Sequence, residues 1–404
     1  HADIGGRTPG SMDPFATTLE QEGVVFDNFL LVSDGRLREA QVRRHLASAV
    51  HPARNIDERV SDLLAQLAAN QLGARELAKL TGEHGVARIR AYMAHVQTNA
   101  GRCVARALDG LLGNAPQRRI ERTDSLDDGT PLRVILDLRR DAAGAPELTV
   151  DFAGTAAWQP NSFNAPPAVA RAALVYVLRC LVADDIPLND GCLAAVRLKL
   201  PPDSLLCPPP DAAVVAGNVE TAQRLVDLLL GALGVAAASQ GTMNNLLFGW
   251  DGEDGGRQYY ETIGGGGGAT ATAPGASGVQ VHMTNTRITD PEVLEWRLRG
   301  VRLRRFALRA GSGGRGRQRG GDGLIREFEI LTPCDCTLLT QRRTVAPFGL
   351  AGGEDGATGR NRLRRADAEE QALPAMGHWR LQPGDRLTIE TPGGGGYGPA
   401  DRES

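Results

Sequence analysis

The sequence predicts an α+β fold, with an N-terminal α-helical hairpin followed by a mixed, mostly antiparallel β-rich region with interspersed helices. Helical periodicity is concentrated before residue 113, and strand-like alternation dominates after residue 257. The regular alternation of strands and helices that marks a parallel α/β sheet is missing from the pattern. With 404 residues and 42% hydrophobic content, the chain can bury an ordinary core and is too long for one small domain. We therefore expect two tightly joined parts, 1–256 and 257–404.

The first helices are predicted from apolar residues that recur every three or four positions. Segments 37–50 and 57–113 have this periodicity. Asn55 or Asp57 can cap the second segment, and Gly113 ends it. We interpret 57–113 as the helical hairpin, with an apolar stripe that includes Val60, Leu63, Leu64, Leu67, Leu77 and Leu80.

Short strands and two more helices follow the hairpin. Apolar and polar residues alternate in Leu132–Leu138 and Leu148–Phe152, which predicts a meander. Ala168–Val182 is nearly all apolar and predicts a helix, and Val219–Leu233 predicts an amphipathic helix with Asn218 as its N-cap. A short strand is predicted between these helices at Val196–Leu200.

From residue 258 onward the pattern is mostly that of strands, separated by glycine-rich loops. A short helix that starts with a proline is expected at Pro291–Leu298. The predicted strands are Gln258–Ile263, Val279–Thr284, Leu303–Leu308, Leu324–Ile330, Thr337–Arg343 and Arg386–Thr391.

Composition excludes several classes of protein. The formal net charge of −3 is not that of a nucleic-acid-binding protein, and no apolar run reaches the ~18 residues of a membrane span. The six cysteines are scattered, as free thiols in a reducing compartment are. We expect a cytoplasmic protein that binds neither nucleic acid nor membrane.

The two ends of the chain suggest a piece of a larger enzyme. The sequence begins with H-A-D-I-G-G and no initiator Met, and it ends on the glycine-dense run Thr391–Gly398. We expect the C-terminal part of a longer protein that is truncated at its N-terminus.

A first candidate site lies at the start of the chain. His1 and Asp3 are two apart on a glycine-flanked stretch, and imidazole and carboxylate are both compatible ligands for a divalent metal. Glu20 and Glu22 are the nearest acidic residues that can complete the site. The alternative is that His1 is a frayed terminus and the glutamates are solvated.

A second candidate is the polar cluster His282–Arg287. On a strand, His282 and Thr284 share one face, and Asn285 and Arg287 share the other. So many polar residues at a strand end indicate a ligand contact. A polar ladder at a sheet edge is the alternative.

The third candidate is a pair of glycine loops. Glu261 precedes Gly264–Gly268, whose N–H groups are suited to bind a carboxylate, a phosphate or a developing oxyanion. The loop lacks the lysine of a nucleotide-binding P-loop. A second loop, Gly311–Gly323, carries Arg315, and it is either a structural turn or an anion clamp.

Ten ordered motifs resemble the hydantoinase B family, and within it the C-terminal region of ATP-dependent 5-oxoprolinases of the eukaryotic type. They cover nearly the whole chain and include H-A-D-I-G-G-R-T-P-G-S-M at His1–Met12, S-Q-G-T-M-N-N at Ser239–Asn245, H-M-T-N-T-R-I-T-D-P-E at His282–Glu292 and T-P-G-G-G-G-Y-G at Thr391–Gly398. Both expected parts of the chain then belong to one hydantoinase B-like region.

The resemblance implies ATP-driven hydrolysis of 5-oxo-L-proline to L-glutamate, with Mg²⁺ and K⁺ as cofactors. ATP would be bound by an upstream hydantoinase A-like ATPase region, and another divalent metal is a candidate for the His1 and Asp3 site. This part of the enzyme would activate water and stabilise the oxyanion. The alternative is a hydantoinase B-type subunit that docks onto a separate ATPase subunit. We expect a homodimer, and a fragment that is inactive alone.

The catalytic residues are predicted to share one cleft. Glu261 is assigned as a base, and His282 and Asn285 as groups that donate to an oxyanion or orient water. Gly264, Gly265, Gly266 and Arg315 would bind the substrate or its oxyanion. The predicted metal ligands are His1, Asp3 and Glu22.

Overall fold

The computed structural model describes residues 2–250 and 257–400. Its helices are α1 (Leu19–Glu22), α2 (Glu39–Ala47), α3 (Ile56–His84), α4 (Val86–Leu112), α5 (Pro167–Leu181), α6 (Ala222–Ala232) and α7 (Pro291–Leu298). Its strands are β1 (Val32–Ser33), β2 (Arg36–Leu37), β3 (Gln117–Ser125), β4 (Pro131–Arg140), β5 (Pro146–Asp151), β6 (Val196–Lys199), β7 (Asn245–Trp250), β8 (Arg257–Glu261), β9 (Val301–Arg309), β10 (Gly323–Ile330), β11 (Cys334–Leu339), β12 (Arg360–Arg364), β13 (Glu370–Leu373), β14 (Met376–Leu381) and β15 (Arg386–Glu390). The predicted α+β class is confirmed.

The N-terminal core lies between a four-stranded sheet and three helices. The strand order is β3-β4-β5-β6, with β5 and β6 parallel and the other pairs antiparallel. Helices α4, α5 and α6 supply the other side of the core through residues such as Val104, Leu174 and Leu225. The predicted meander is confirmed as β4 and β5. Strand β3 was not predicted, because it is an edge strand whose mostly charged residues are little buried and show no apolar alternation.

The C-terminal core lies between two antiparallel sheets. Their strand orders are β13-β12-β15-β10-β9 and β14-β11-β7-β8. Phe248 on β7 meets Phe328 on β10 edge to face, with 5.5 Å between ring centroids. The predicted boundary between parts falls beside residues 251–256, which lie outside the described residues. The strands on either side of it, β7 and β8, pair with each other in one sheet.

The predicted helical hairpin is confirmed as α3 and α4, which are joined at Gly85. The Asn55 side chain caps α3 by accepting a hydrogen bond from the Glu58 N–H group. The two helices make few contacts with each other, and residues 61–99 are mostly exposed. The hairpin therefore projects as an arm, defined here as residues 61–99.

The prediction of a strand at Val279–Thr284 is wrong. This segment is a loop, and His282 takes the left-handed conformation with φ at 50°. The Gln223 side chain donates to the carbonyl of Val281 and accepts from the N–H group of Met283, both at 3.0 Å. A side chain thus satisfies the backbone groups that a neighbouring strand would otherwise satisfy.

The strand predicted at Thr337–Arg343 ends earlier, at Leu339, where β11 stops. Beyond it the chain leaves the sheet, and Arg342 adopts a left-handed backbone with φ at 62°. Its guanidinium group is fully buried and pairs with Asp124 and Asp227.

The glycine runs pack against one another, backbone on backbone. Gly393 and Gly396 donate to the carbonyls of Ala357 and Glu354, whereas Gly394 donates to Gly321. Residues three apart therefore donate to the same neighbouring segment, as in extended helices with three residues per turn. We call this assembly the glycine bundle, formed by segments 264–268, 313–321, 349–357 and 393–398.

The bundle depends on the absence of side chains. A Cβ atom on Gly394 would lie 1.9 Å from the carbonyl oxygen of Gly267. The backbones of Gly394 and Gly267 both make hydrogen bonds to Gly321, so neither residue can move away without breaking these bonds.

We predict that Gly394→Ala prevents correct folding, because the added methyl group overlaps the neighbouring backbone. The matched control is Gly82→Ala in α3, where a Cβ atom meets nothing within 4 Å. That control should retain wild-type yield and melting temperature, or gain up to ~1 kcal/mol from better helix propensity. Soluble expression and thermal unfolding measure both, and a Gly394→Ala variant as stable as wild type would contradict the prediction.

Candidate active site around His282

Helix α6 carries two charged residues although all of its residues are buried. Arg224 and Asp227 are three positions apart and therefore lie on one face of the helix. Buried charges are stable only when they are paired and hydrogen-bonded. This face consequently requires charged partners from other segments.

Two segments supply those partners. The Arg342 guanidinium donates to Asp227 Oδ2 at 3.3 Å and to Asp124 Oδ2, on β3, at 3.0 Å. Arg224 Nε lies 3.8 Å from the same Asp124 oxygen. Two carboxylates and two guanidinium groups thus balance one another between α6, β3 and the segment after β11.

His282 completes this network at its partly exposed end. Its Nε2 atom lies 2.6 Å from Asp227 Oδ1, and its side chain is 11% exposed. Because an ionised carboxylate only accepts hydrogen bonds, Nε2 must carry the proton. In the neutral ring Nδ1 is then unprotonated, and it makes no hydrogen bond within the part of the chain that the structure describes. The pair leaves His282 with one free basic nitrogen.

Ser239 positions the pair and is not set up as a nucleophile. Its Oγ atom lies 3.0 Å from His282 Nε2, the nitrogen that already faces Asp227. A serine is activated when the histidine uses opposite ring nitrogens for the serine and the acid, and that geometry is missing here. Instead, Ser239 Oγ accepts from the Gly241 N–H group, and the Ser239 N–H group donates to Asp227 Oδ1 at 2.8 Å.

Backbone strain accompanies the site. His282 and Arg342, whose side chains contact Asp227 from outside α6, both have positive φ angles. Left-handed backbone costs a non-glycine residue roughly 1 kcal/mol or more, and such residues concentrate at functional sites. The surrounding contacts hold them in place.

Glu261 does not share the Asp227 network with His282, and the predicted common cleft stays a prediction. The Glu261 side chain is 2% exposed and pairs with the fully buried Arg326, with Oε1 2.8 Å from Nη2. Burial raises the pKa of Glu261 to about 7, against the opposing effect of Arg326. Glu261 and His282 therefore have separate charged partners.

The glycine loop is occupied by its neighbours in the bundle. The N–H groups of Gly265 and Gly266 donate to the carbonyls of Val279 and Pro392, and the carbonyl of Gly264 accepts from the Thr391 hydroxyl group. In this conformation these groups serve the fold. Binding of a substrate there stays a prediction.

Two further predicted residues are exposed. Asn285 lies three residues after His282 on the same loop, with its side chain in solvent. Arg315 lies on the surface of the second glycine loop, where its carbonyl accepts from the Glu354 N–H group at 2.7 Å. Asn285 therefore belongs to the loop that carries His282. Arg315 belongs to the glycine bundle through its backbone.

The predicted metal ligands already have protein partners. The Asp3 carboxylate accepts from the N–H groups of Gly5 and Gly10 and pairs with Arg54. Within the described residues, no three His, Cys, Asp or Glu side chains come close enough to hold a metal ion.

Glu22 is occupied as well. Its carboxylate accepts from two consecutive N–H groups, those of Val214 and Val215, at 2.9 to 3.0 Å. Asp3 and Glu22 thus face different donors and do not fit one shared metal in this conformation. His1 lies outside the described residues, so the metal site stays a prediction.

The sequence reasoning missed Asp227, Ser239 and Arg342. Ser239 begins the S-Q-G-T-M-N-N motif, which was recognised without a chemical role. Arg224 and Asp227 are two of the three charged residues within the predicted helix Val219–Leu233, the third being Glu220, and their three-residue spacing was the available signal. Arg342 gave no local signal, because its partners are distant in sequence.

Another buried acid lies two residues before the start of α6. Glu220 belongs to a short π-helix, Gly217–Thr221, and is fully buried. Its Oε1 atom accepts from Asn245 Nδ2 at 2.7 Å and from the Met243 N–H group at 3.2 Å. Burial raises the pKa of Glu220 to about 8.

Comparisons with known proteins identify the fold and the family. The model of the hydantoinase B/oxoprolinase family matches residues 1–400. The chain is 43% identical to 5-oxoprolinase 1 of Arabidopsis thaliana and 40% identical to 5-oxoprolinase of Dictyostelium discoideum, over 98% and 99% of its own length. It spans about a third of those relatives, 32% and 31% of their lengths.

A solved structure has the same fold. The crystal structure of the ATP-dependent caprolactamase from Pseudomonas jessenii superposes with a TM-score of 0.81 at 25% identity, and the match covers 98% of this chain and 70% of that one. No helix in the described part of the chain is long and apolar enough to cross a membrane.

We predict that Glu220 makes the protein less stable as the pH rises. Its pKa is raised from 4.5 to about 8 on folding, so the folded state holds a proton that the unfolded state has lost between these values. The free energy of unfolding should fall across this window by up to ~1.4 kcal/mol per pH unit from this group. Glu220→Gln should remove that share, measured by chemical unfolding from pH 5 to pH 8.

The comparison must be made as a difference between wild type and variant, because Glu22 and Glu261 also have raised pKa values near 7. Parallel pH profiles for wild type and Glu220→Gln would show that the acid is ionised at neutral pH and would contradict the prediction.

Proposed function

The chain belongs to the hydantoinase B/oxoprolinase family, and we propose that it is the C-terminal, hydantoinase B-like part of an ATP-dependent 5-oxoprolinase. The complete enzyme would hydrolyse 5-oxo-L-proline to L-glutamate at the expense of ATP. ATP would be bound by an upstream hydantoinase A-like region, with Mg²⁺ and K⁺. The similarity to the two 5-oxoprolinases along almost the full length of this chain supports the assignment.

The single observation that carries the mechanism is the fixed orientation of His282. Asp227 holds the proton on Nε2, which leaves Nδ1 as a base at the partly exposed end of the network. ATP supplies the phosphoryl group that makes the lactam carbon electrophilic. His282 Nδ1 then takes a proton from water as the water oxygen bonds to that carbon, and the ring C–N bond breaks with the nitrogen taking up a proton. This leaves an acyl phosphate, and a second water molecule hydrolyses it to the carboxylate of L-glutamate and inorganic phosphate.

We propose His282 as the base in preference to Glu261. Glu261 is nearly inaccessible and is paired with Arg326, which opposes proton uptake by the carboxylate. Asn285, exposed on the His282 loop, would orient the substrate or the water. No step is assigned to a metal, because Asp3 and Glu22 are held by other donors.

A second candidate function is that of a hydantoinase B-type subunit that works with a separate ATPase subunit. The match to the ATP-dependent caprolactamase favours it, because this chain covers 70% of that protein but only about a third of the 5-oxoprolinases. Substrate choice separates the two, since the alternative predicts hydrolysis of a hydantoin or another lactam in place of 5-oxoproline. In either case the six unpaired cysteines support a cytoplasmic location.

A homodimer built through the arm is part of the proposal. Apolar residues of α4 recur at steps of three and four from Val86 through Met93 to Cys103. The C-terminal half of this stripe packs in the core, whereas Val86 and Met93 are 54% and 51% exposed. An apolar stripe that continues from the core into solvent indicates a surface that a partner covers.

Charge favours a second copy as that partner. Between residues 86 and 99, α4 carries Arg88 and Arg90 and no acidic residue. The exposed part of α3 carries Asp62, Glu76 and Glu83, with Arg75 and Lys79 among them. Pairing α3 of each copy with α4 of the other covers both stripes and brings opposite charges together.

We predict that the double variant Leu77→Glu/Met93→Glu dissociates the dimer of the complete enzyme, because it places charges in the covered stripe. Light scattering coupled to size-exclusion chromatography gives the mass. Leu188→Glu is the control, since Leu188 is an exposed leucine outside the arm. Unchanged mass for the double variant, or a monomeric wild type, would exclude the arm as the dimer interface.

We predict that His282→Gln lowers turnover of 5-oxoproline by the complete enzyme at least ~100-fold, the low end for loss of a general base. ATP hydrolysis by the upstream region should continue, uncoupled from glutamate formation. The chain alone should form no glutamate. Glutamate and phosphate release, measured together, test this.

Two results would overturn the assignment. If His282→Gln still couples ATP hydrolysis to glutamate formation as the wild type does, His282 is not the base. Hydrolysis of a hydantoin but not of 5-oxoproline by the wild-type enzyme would favour the second candidate function.

A further inference from the structure

Arg122 on β3 is a cation without a counter-ion. Its guanidinium group makes no hydrogen bond and no ion pair among the described residues, and its Nε atom is buried without a partner. The side chain is only partly exposed. Arginine stays protonated in proteins, so this is an uncompensated positive charge in a partly buried position.

Packing holds the guanidinium group in place. Its Cζ atom lies 3.9 Å from the centroid of the Phe348 ring, a cation–π contact. Gly231 on α6 leaves the space for both groups, because a Cβ atom there would come within 2.7 Å of Phe348 and 3.0 Å of Arg122 Nε. The stack fixes the position of the guanidinium group without using its hydrogen-bond donors.

This place adjoins the His282 site. Gly231 follows Asp227 by one helical turn and so lies on the same face of α6. On β3, Arg122 and Asp124 are two residues apart and share a face of the strand. Asp124 and Asp227 both bind Arg342, so the stacked arginine lies beside the network that orients His282.

The charges of the network do not neutralise Arg122. Asp124 and Asp227 are balanced by Arg224 and Arg342. Burial lowers the pKa of Arg122, and the two nearby carboxylates only partly oppose this. The site thus carries one positive charge in excess, with nitrogen donors available to an incoming anion.

We infer that Arg122 binds a phosphoryl group in the active site, either on the activated lactam or as the phosphate released from it. The inference rests on the proposed function. A planar guanidinium group donates two parallel hydrogen bonds to a phosphate, and here the cation is already held and partly desolvated. Arg122 would hold the phosphorylated substrate while His282 activates water.

The test uses the complete enzyme and inorganic phosphate as the probe. The nucleotide site is first blocked with a non-hydrolysable ATP analogue, and phosphate binding is then measured by calorimetry. Arg122→Gln should weaken phosphate binding at least ~10-fold, because charged hydrogen bonds are lost. Arg119→Gln, an exposed arginine on the same strand, is the control and should bind phosphate as wild type does.

Kinetics distinguish the phosphorylated lactam from free phosphate as the ligand. If the bound group is on the substrate, Arg122→Gln should also uncouple ATP hydrolysis from glutamate formation. If only the product binds, coupling should persist and product inhibition by phosphate should disappear. Arg122→Lys keeps the charge without the paired donors and should give intermediate values, which separates loss of binding from loss of fold.

Equal phosphate affinity in wild type, Arg122→Gln and Arg122→Lys would overturn the inference. Failure of the wild-type enzyme to hydrolyse 5-oxoproline would instead overturn the proposed substrate. The calorimetric comparison would still decide whether Arg122 binds phosphate, because it requires no turnover.

Discussion

Two opposite charges on one buried helix, α6, constrain the rest of the structure. Arg224 and Asp227 cannot stay in the interior unless other segments neutralise them. Meeting that requirement joins β3, through Asp124, to the segment after β11, through Arg342. His282 is the member of the network nearest to solvent, and its hydrogen bond to Asp227 helps to stabilise that buried carboxylate. Histidine is also the side chain best suited to proton transfer near neutral pH.

The glycine bundle fixes the position of that network. Ser239 lies between Ala238 and Gln240, whose N–H groups donate to the carbonyls of Phe348 and Gly266. The Ala238 carbonyl in turn accepts from Gly395 at 2.7 Å. Because the closest backbone contacts of the bundle are made by glycines, no rotamer can rearrange at these contacts, and Ala238 and Gln240 are attached to the bundle by main-chain hydrogen bonds. The glycine bundle thus fixes the backbone on both sides of Ser239.

The site places a histidine and an arginine near one buried carboxylate. Asp227 sets the tautomer of His282, while Arg122 stacks on Phe348 near the same face of α6. Ser239 holds the acid and the histidine and is not activated by them. This combination is suited to an acceptor that has been activated elsewhere, since water activation and anion binding are the remaining tasks. The proposed division of labour with an ATPase region follows from that chemistry.

The sequence by itself determined the class of fold, the long helices and the family. Periodicity over α3, α4, α5 and α6 is a local property, because each helix forms its hydrogen bonds within its own segment. The ordered motifs identified the family without any structure. His282 was also found from sequence, as part of a dense polar cluster.

Only the tertiary structure decided which polar residues act together. Asp227 and Ser239 contact His282, and Arg342 contacts Asp227, although these residues lie on separate segments of the chain. No local pattern in the sequence predicts such contacts. The segment Val279–Thr284 reads as a strand, yet Gln223 satisfies its backbone and makes it a loop. The sequence predicts Glu261 as a base next to a glycine loop, whereas in the structure it forms a buried ion pair with Arg326 of β10. Burial and long-range pairing set the chemistry of an ionisable group, and both arise only when distant segments pack.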